Sequence, residues 1–431
     1  MTTLIKDFAT QVDAEVTMQG WVYNLRSSGK IMFLQMRDGS GFTQAIVNQA
    51  TVSAEVWAAA NSLNVESSVT LIGKVSKHPK KEEYELQVST VAVIQNPIAE
   101  YPIGNKEHGP DFLLEHRHLW LRSPKQWAIQ RIRNSVINAT YQHLNNENFI
   151  KIDSPILTPN SCESVTELFQ MDYFDLGKAY LTQSGQLYIE AAIFSHGRVF
   201  DFGPVFRAEK SKTRRHLTEF WMMDAEMAFV DYIGNMDIQE KLIKAIVKYV
   251  LEHNQYELTV LERDIKPLQT VLEKPFVRIT HSDAVKELRK LGSDIKEDDD
   301  MGADDETMIT SQHDAPVFVM KYPAKVKAFY MQPDPTDAAH VLCSDLLAPE
   351  GYGEIIGGSQ RIHDYDLLSK KLDEYKLPRA EYEWYLDLRR YGSVPHSGFG
   401  YGLERITGWL SGTKHIRETI PFPRMINRIY P

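Results

Sequence analysis

The stretch from Phe206 to Phe220 constrains the fold of this 431-residue chain more than any other segment. It opens with Phe206-Arg207-Ala208-Glu209 and closes, after a basic polar segment, with Arg215 to Phe220. Arg207 and Glu209 stand two residues apart, which predicts that they share one face of a strand. The polar residues that follow predict a turn, and Phe220 begins the return of the chain. The pattern predicts an antiparallel hairpin that carries an arginine, a glutamate and an aromatic ring.

Such a hairpin can bind ATP without a glycine-rich loop. An arginine fork can contact a phosphate and a carboxylate together, a phenyl ring such as Phe220 can stack on adenine, and Glu209 can accept a hydrogen bond from the adenine amino group. His216 is a further candidate phosphate contact, although a structural hydrogen bond explains it equally well. A merely solvated hairpin would not need the apolar residues 221–223 beside these charges.

The composition indicates an ordinary globular protein, with 43% hydrophobic and 25% charged residues. No apolar run is long enough to span a membrane, and residues 1–7 lack the features of a signal peptide. Cys162 and Cys343 show neither metal-site nor disulfide spacing, so we expect a cytoplasmic location. The net charge of −10 argues against a generic nucleic-acid binder but allows a local cationic surface for RNA.

Residues 1–98 predict a small β-barrel. A helix at Ser53–Leu63 separates the third and fourth of five predicted strands, and turn residues punctuate the others. The predicted strands are Val16–Val22, Ile31–Arg37, Phe42–Val47, Val69–Lys77 and Tyr84–Ile94. Five strands with one helix after the third is the layout of an OB-fold, a barrel used to bind oligonucleotides.

The rest of the chain predicts a hinge at residues 99–123 and a larger α+β domain at residues 124–431. Ser123-Pro124 is a good helix start, with serine as the cap and proline in the first turn. Further elements are predicted from periodicity: strands at Phe149–Pro155, Ala315–Tyr322 and Ala328–Met331, and helices at Asp237–His253 and Ser282–Leu291. The acidic segment Asp294–Glu306 is typical of a solvated surface loop.

Two further segments carry candidate chemistry. In Gly398–Arg405, alternate glycines allow close approach of a ligand to the backbone near Gly402, and Arg405 follows at a predicted helix start. Asp345 and Glu354 precede a Gly-Gly-Ser turn, and their carboxylates are hard oxygen ligands suited to Mg²⁺ bound to ATP phosphates. Two acidic residues ten positions apart are also common as surface charge.

Taken together and in this order, these segments resemble motifs 1, 2 and 3 of the class II aminoacyl-tRNA synthetases. Phe149–Pro155 with the preceding helix resembles motif 1, the Arg207 hairpin motif 2, and the Arg405 segment motif 3. The resemblance implies a mostly antiparallel sheet flanked by helices, a homodimer, and ATP with Mg²⁺ as reactants. Arg207, Arg405 and Glu354 would be the catalytic residues, with Asp345 and Glu354 as metal ligands.

The Asp345–Arg361 segment is similar to that of the aspartate, asparagine and lysine subclass, which carries an N-terminal OB-fold for the tRNA anticodon. In that subclass the segment Thr182–Glu190 contacts the amino acid. Aspartyl enzymes have a lysine where this chain has Ile189, and asparaginyl enzymes have a glutamate at Glu190. The resemblance therefore implies an asparaginyl enzyme that forms Asn-tRNA(Asn) from L-asparagine, ATP and tRNA(Asn).

This resemblance also implies contacts for the remaining candidates. Glu190 would accept from the asparagine amide, and Arg361 would donate to its carbonyl. The candidates to bind the substrate ammonium are Asp224, Glu163 and Gln186, and Ser184 is a further amino-acid-binding candidate. Asp224 departs from the glutamate expected there, which leaves its contact with the ammonium in doubt. In the barrel, the anticodon-binding candidates are Arg26, Phe33 and Gln44, although the strand pattern also allows Phe33 to be barrel core.

Three other functions remain open at this point. An aspartyl enzyme with relaxed tRNA choice is disfavoured by Ile189, and an ammonia-dependent asparagine synthetase by the predicted barrel. A catalytically inactive RNA-binding paralogue would not need the complete set of Arg207, Glu209 and Arg405.

Overall fold

The computed structural model describes residues 2–104, 106–162, 167–210 and 213–431, which form two compact units, 1–109 and 110–431. The segment predicted as a hinge, residues 99–123, is therefore split between the two units. Its residues up to Gly109 belong to the first unit, and those from Pro110 onward belong to the second. Arg117 illustrates this, since its buried guanidinium donates hydrogen bonds to the carbonyl oxygens of Glu418, Ile420 and Pro421.

The first unit is a closed five-stranded barrel with the strand order β1-β2-β3-β5-β4, as the sequence predicts for an OB-fold. Its elements are β1 (Glu15–Ser28), β2 (Ile31–Arg37), β3 (Phe42–Asn48), α1 (Ala54–Asn61), β4 (Ser68–Lys77) and β5 (Tyr84–Gln95), after a 3₁₀ turn at Ile5–Thr10. Ser53 caps α1 by accepting from the Val56 amide. Alternation along β2 puts Met32, Leu34 and Met36 inside the barrel.

The second unit is built on an eight-stranded sheet with the order β12-β13-β16-β17-β18-β11-β10-β6, in which only the outer pairs β12–β13 and β10–β6 are parallel. Its strands are β6 (Ile150–Lys151), β7 (Leu157–Thr158), β8 (Gln170–Asp172), β9 (Lys178–Leu181), β10 (Arg198–Phe206), β11 (Glu219–Ala228), β12 (Val277–Thr280), β13 (Val317–Met320), β14 (Pro333–Asp334), β15 (Asp337–Val341), β16 (Cys343–Ala348), β17 (Gly353–Gln360) and β18 (His396–Gly402). Strands β7, β9 and β8 form a small separate sheet, and β14 pairs with β15.

The helices of this unit are α2 (Pro110–Glu115), α3 (Arg117–Trp120), α4 (Pro124–Asn146), α5 (Gln186–His196), α6 (Tyr232–His253), α7 (Gln255–Val260), α8 (Lys266–Glu273), α9 (His281–Lys290), α10 (Ala303–Thr310), α11 (Tyr365–Glu374), α12 (Arg379–Arg390) and α13 (Leu403–Ser411). Ser123 caps α4 as predicted, by accepting from the Gln126 amide. The main core lies between the large sheet and α4, α6 and α13, where side chains such as Val136, Ile243 and Trp409 are fully buried. None of the helices in the described ranges is long and apolar enough to cross a membrane.

Three predicted elements differ from the structure. The strand expected at Ala328–Met331 is wrong, because Phe329 and Tyr330 pack into an aromatic cluster with α12, so their apolar character reflects burial in a turn. The strand expected at Phe149–Pro155 is only two residues long. Helix α6 begins at Tyr232, five residues before the predicted start, because Asp231 caps it.

The acidic segment Asp294–Glu306 is also not simply a solvated loop. Its C-terminal part forms the first turn of α10, and Gly302 precedes that helix with an extended backbone. The side chain of Glu306 is only 15% exposed, so this carboxylate is turned into the protein. The sequence interpretation of this segment is wrong for its last residue.

Candidate functional site

A cavity of about 390 Å³ opens on the face of the large sheet opposite the helical core. It collects residues from β11, β16, β17, β18, the segment after β10 and the start of α5. Its lining includes most of the residues singled out in the sequence: Ser184, Gln186, Arg207, Glu209, His216, Phe220, Asp224, Asp345, Glu354, Arg361, Gly402 and Arg405. Residues scattered over more than 200 positions therefore surround one space.

Side chains along strand β11 point alternately to the helical core and to the cavity. Met223 and Ala225 face the helical core, whereas Met222 and Asp224 line the cavity. Strand β18 pairs with β11 in the register Asp224 to Gly400. A Cβ added at Gly400 would lie 2.4 Å from the Asp224 carboxylate, so only glycine leaves room for that side chain. The alternate glycines of β18 thus accommodate acidic side chains of the neighbouring strand.

Arg207 does not lie on a strand as the sequence suggested. Strand β10 ends at Phe206, and Arg207 and Glu209 occupy the irregular segment that follows, because the hairpin opens after the Arg207 amide bonds to the Thr218 carbonyl at 2.9 Å. The Arg207 guanidinium donates to the carbonyl oxygen of Gln183 and lies 5.6 Å from the centre of the Phe220 ring. Both side chains still line the cavity.

His216 lies at the cavity wall, as expected for a phosphate contact. It also makes a structural hydrogen bond, which was the other explanation offered for this residue. Its Nδ1 is hydrogen bonded to the hydroxyl of Thr213. Burial lowers the pKa of His216, and the nearby charge of Arg405 lowers it further. The imidazole is therefore neutral near pH 7, so it can contact phosphate as a neutral donor.

Arg405 sits in the first turn of α13 and is held by Glu354 on β17. One Nη atom donates to the Glu354 carboxylate at 2.9 Å and to its backbone carbonyl at 2.8 Å. Burial alone would raise the pKa of Glu354, but Arg405 and Lys327 outweigh it and hold the pKa below the ordinary value. Glu354 is consequently an anion that fixes the arginine in the cavity.

Asp345 faces the same cavity and pairs with a lysine that the sequence analysis did not single out. Lys327 Nζ donates to its carboxylate at 2.6 Å and lies 3.8 Å from Asp300. Burial would lower the pKa of Lys327, but Asp345 raises it above its ordinary value, so the ammonium stays charged. Within the described ranges, no three His, Cys, Asp or Glu side chains converge as a metal site. Two carboxylates such as Asp345 and Glu354 nevertheless suit Mg²⁺, which commonly takes one or two protein carboxylates and completes its shell with substrate phosphates and water.

Asp224 is organised by the start of α5. Its Oδ2 accepts from the Ser184 hydroxyl and from the Gly185 amide, each at 2.9 Å. Burial raises the pKa of Asp224 to about 6. Gln186 lies beside it on the cavity wall. Ser184 thus orients Asp224, and the group of Asp224 and Gln186 presents acceptor oxygens suited to an ammonium ion.

Ile189 and Glu190 lie outside the cavity wall. Ile189 packs in a small apolar cluster with Ile193 and Val199. The carboxylate of Glu190 is fully buried and accepts from Arg389 and Tyr385, each at 2.7 Å. His396 Nε2 lies 3.0 Å away, and Gln186 Nε2 donates to the same carboxylate at 3.1 Å. Burial would raise the pKa of Glu190, but Arg389 and His396 hold it well below the ordinary value.

Arg361 lines the cavity, and several of its N–H groups already donate hydrogen bonds within the protein. It donates to the Glu226 carboxylate at 2.5 and 3.0 Å and to the Ser359 hydroxyl at 2.6 Å. Burial would lower the pKa of Arg361, and Glu226 raises it above the ordinary value. Glu226 therefore holds Arg361 as a fixed cation at the wall. Glu163, the remaining candidate for the ammonium site, lies outside the described residues.

In the barrel, the anticodon-binding candidates share the outer surface of the sheet. Phe33 lies between the buried residues Met32 and Leu34, so it points away from the barrel core. The Arg26 guanidinium lies 4.5 Å from the centre of the Phe33 ring. Gln44 donates to Glu85 at 2.6 Å on the same outer face. The structure thus excludes the barrel-core alternative for Phe33.

Sequence reasoning missed four residues that line the cavity, Arg215, Asp300, Lys327 and Tyr330. It also missed Glu306 and Glu226, which accept hydrogen bonds from the lining residues Arg215 and Arg361. Only the basic character of the hairpin loop signalled Arg215. The others act through partners distant in the chain, and no local pattern marks them.

The comparisons with known proteins agree with this geometry. Residues 109–426 match the family described as tRNA synthetases class II (D, K and N), and residues 16–94 match the OB-fold nucleic acid binding domain. The chain is 42% identical to asparaginyl-tRNA synthetase from Pyrococcus horikoshii, solved in complex with asparaginyl-adenylate. The match covers 100% of both chains with a TM-score of 0.95.

Two structures from Entamoeba histolytica are also similar. Asparaginyl-tRNA synthetase, in complex with asparaginyl-adenylate, is 30% identical with a TM-score of 0.89 over 100% of both chains. Aspartyl-tRNA synthetase is 29% identical with a TM-score of 0.84, over 100% of this chain and 93% of that one.

Proposed function

The chain belongs to the class II tRNA synthetases of the aspartate, lysine and asparagine group, and we propose that it ligates L-asparagine to tRNA(Asn) with ATP. The reaction passes through asparaginyl-adenylate and gives Asn-tRNA, AMP and pyrophosphate. The observation that carries the proposal is the single cavity in which Arg207 and Arg405 meet Asp224, Gln186 and Arg361. Two relatives that match along the whole chain are solved with asparaginyl-adenylate.

In the first step, the asparagine carboxylate attacks the α-phosphorus of ATP and pyrophosphate leaves. The nucleophile is already an anion, so the step needs no general base. It needs positioning and neutralisation of charge, which Arg207 and Arg405 supply as fixed cations. Phe220 offers a ring for the adenine, and Glu209 and Gly402 border the same space.

Magnesium, when bound, would neutralise phosphate charge in this site, and Asp345 and Glu354 are the residues that would hold it. In the second step, the 2′ or 3′ hydroxyl of the tRNA terminus attacks the adenylate carbonyl and AMP leaves. Lys327 adds a further cation at the same wall of the cavity.

Selection of asparagine rests on charge. At the position where aspartyl enzymes carry a lysine, Ile189 is buried among apolar side chains and offers no cation to a β-carboxylate. Glu190 is an anion directly behind Gln186, which faces the cavity. Their combined effect favours a neutral amide over a carboxylate, because Glu190, behind Gln186, would repel a carboxylate bound in the cavity. Arg361 serves the side-chain carbonyl oxygen.

The barrel supplies tRNA recognition in this proposal. Phe33 presents a half-exposed ring on the outer face, where an anticodon base can stack, with Arg26 and Gln44 beside it. A homodimer is supported by a patch of exposed apolar side chains near the small sheet, in which Phe174 is 86% and Leu176 is 82% exposed. Cys162 and Cys343 are both buried, which fits a cytoplasmic enzyme.

Aminoacylation of purified tRNA(Asn) with labelled asparagine tests the proposal directly. Asn-tRNA should form with ATP and not without it, and tRNA(Asp) serves as the control acceptor. Formation of Asp-tRNA with either acceptor, and no Asn-tRNA, would replace the proposal with an aspartyl enzyme.

A further inference from the structure

The acidic segment that ends at Glu306 has no role in the reaction described above, yet Glu306 contacts two residues that line the cavity, Arg215 and Glu354. Glu306 Oε2 accepts from Arg215 Nη1 at 2.8 Å and from the backbone amide of Glu354 at 3.2 Å. Both side chains of the Arg215–Glu306 pair are 15% exposed. The pair therefore lies inside the protein, where water screens an ion pair only weakly.

The second Nη atom of Arg215 also donates to this side of the site. Its Nη2 donates to the carbonyl oxygen of Gly351 at 2.6 Å and to the Thr307 hydroxyl at 3.3 Å. Three contacts from a single guanidinium fix its plane as well as its position. Arg215 therefore joins the basic loop of the hairpin to α10 and to the turn between β16 and β17.

Gly353 makes this arrangement sterically possible. Its backbone has a φ of +72°, and a Cβ there would lie 2.1 Å from Glu306 Oε2 and 2.4 Å from Arg215 Nη1. Any side chain at this position would displace the pair. Gly353 precedes Glu354, the residue that holds Arg405, so the pair contacts the strand that fixes the catalytic arginine.

Arg215 also immediately precedes His216, which lines the cavity beside Arg405. Residues 213–216 would otherwise be free to sample many conformations, and ordering them on ATP binding would cost conformational entropy. An anchor inside the loop removes part of that cost before ATP arrives.

We propose that Glu306 and Arg215 are positioning residues that hold residues 213–216 of the hairpin in their ATP-binding conformation. This inference rests on the proposed function only in taking the cavity as the ATP site. It assigns a role to the acidic segment, which presents one carboxylate to the loop while Asp304 on the same helical turn stays exposed.

Equilibrium binding of ATP by the full chain without amino acid, measured by calorimetry, tests the proposal. Glu306→Gln should weaken ATP binding by about tenfold, because the neutral amide loses a charge-assisted hydrogen bond to Arg215. Asp304→Asn is the matched control, since it removes the same charge from the same helix without touching the loop, and it should bind ATP as the wild type does.

A double-mutant cycle then separates positioning from a general loss of structure. Glu306→Ala and Arg215→Ala should each weaken ATP binding, and the double variant should be no weaker than the worse single variant. The asparagine KM in pyrophosphate exchange should change much less than the ATP KM. Additive effects, or ATP affinity unchanged in Glu306→Gln, would overturn the proposal. Wild-type ATP binding without asparagine-dependent exchange would instead refute the proposed function and leave the pair's role intact.

Discussion

Asp224 is shorter than the glutamate that the resemblance predicts at this position, and its environment makes its ionisation a measurable property. Burial raises its pKa to about 6. Only the ionised form attracts the substrate ammonium strongly, so kcat/KM for asparagine should fall as the pH drops below about 6. The residual activity of Asp224→Asn should lack this dependence.

Destabilisation through Asp224 itself does not explain such a loss. The folded-state pKa of Asp224 lies above the unfolded value of 3.8, so between these two values the folded state binds more protons. Stability from this residue therefore increases as the pH falls through 6 and decreases as it rises. A wild-type profile of kcat/KM that is flat between about pH 5 and pH 7 would remove Asp224 from the ammonium site.

In the proposed function, amino-acid choice depends on Glu190. We expect asparagine to be favoured over aspartate by a factor on the order of 10⁴, as at other sites that discriminate by polar contacts. Glu190→Gln should narrow this ratio, because it removes the negative charge behind Gln186 that repels a β-carboxylate. Pyrophosphate exchange with each amino acid gives the ratio directly.

The ratio of activity with asparagine to activity with aspartate is more informative than either activity alone, because Glu190→Gln also leaves Arg389 without its anionic partner. Removing one member of a buried ion pair typically costs about 3–5 kcal/mol of stability, so absolute activity will fall in any case. Thermal unfolding of the variant measures that loss separately. An unchanged ratio would mean that Glu190 serves only to pair with Arg389 and its neighbours.

At the scale of elements, the glycines of strand β18 position the site because they have no side chains. Gly400→Ala would place a Cβ 2.4 Å from the Asp224 carboxylate and force that side chain to move. We expect the KM for asparagine to rise at least tenfold, a loss on the order of 1.4 kcal/mol. Gly104→Ala is the control, since a Cβ there meets no atom within 4 Å. Equal KM values for the two variants would contradict this account of the strand.

The elements themselves show what local sequence determines. The five barrel strands and the caps of α1 and α4 follow from alternation and from single serines, both of which are local signals. The strand predicted at Ala328–Met331 fails because an apolar run has the same appearance whether it packs as a strand or as a turn against α12.

Charged residues whose partners are distant in the chain are a second kind of feature that the sequence does not predict. The sequence predicts Glu306 to be a surface charge, because its partner Arg215 is 91 positions away. Lys327 is similar, since only the fold brings it to Asp345. The hairpin arginine and the glycine segment were recognisable because their motifs are contiguous. Residues that support them through long-range pairs carry no such signal.

At the scale of the whole molecule, the chain forms two compact units, 1–109 and 110–431, and the proposed function assigns tRNA recognition to the first and amino-acid activation to the second. Phe33→Ala in the barrel should raise the KM for tRNA in aminoacylation, because a stacked base is typically worth about 1–3 kcal/mol. ATP–pyrophosphate exchange, which needs no tRNA, should be unaffected. Ile94→Ala, another exposed apolar residue of the barrel, is the control and should alter neither activity. A parallel fall in both activities of the Phe33 variant would show that it damages the fold.

The central claim is that one cavity activates asparagine, and amino-acid-dependent exchange of labelled pyrophosphate into ATP tests it most directly. The wild-type chain should exchange label with asparagine and not with aspartate, in the absence of tRNA. Arg207→Ala should lose the exchange by about a hundredfold or more, since it removes a cation that stabilises the transition state. Exchange with aspartate in place of asparagine, or exchange in Arg207→Ala within tenfold of the wild type, would contradict the account.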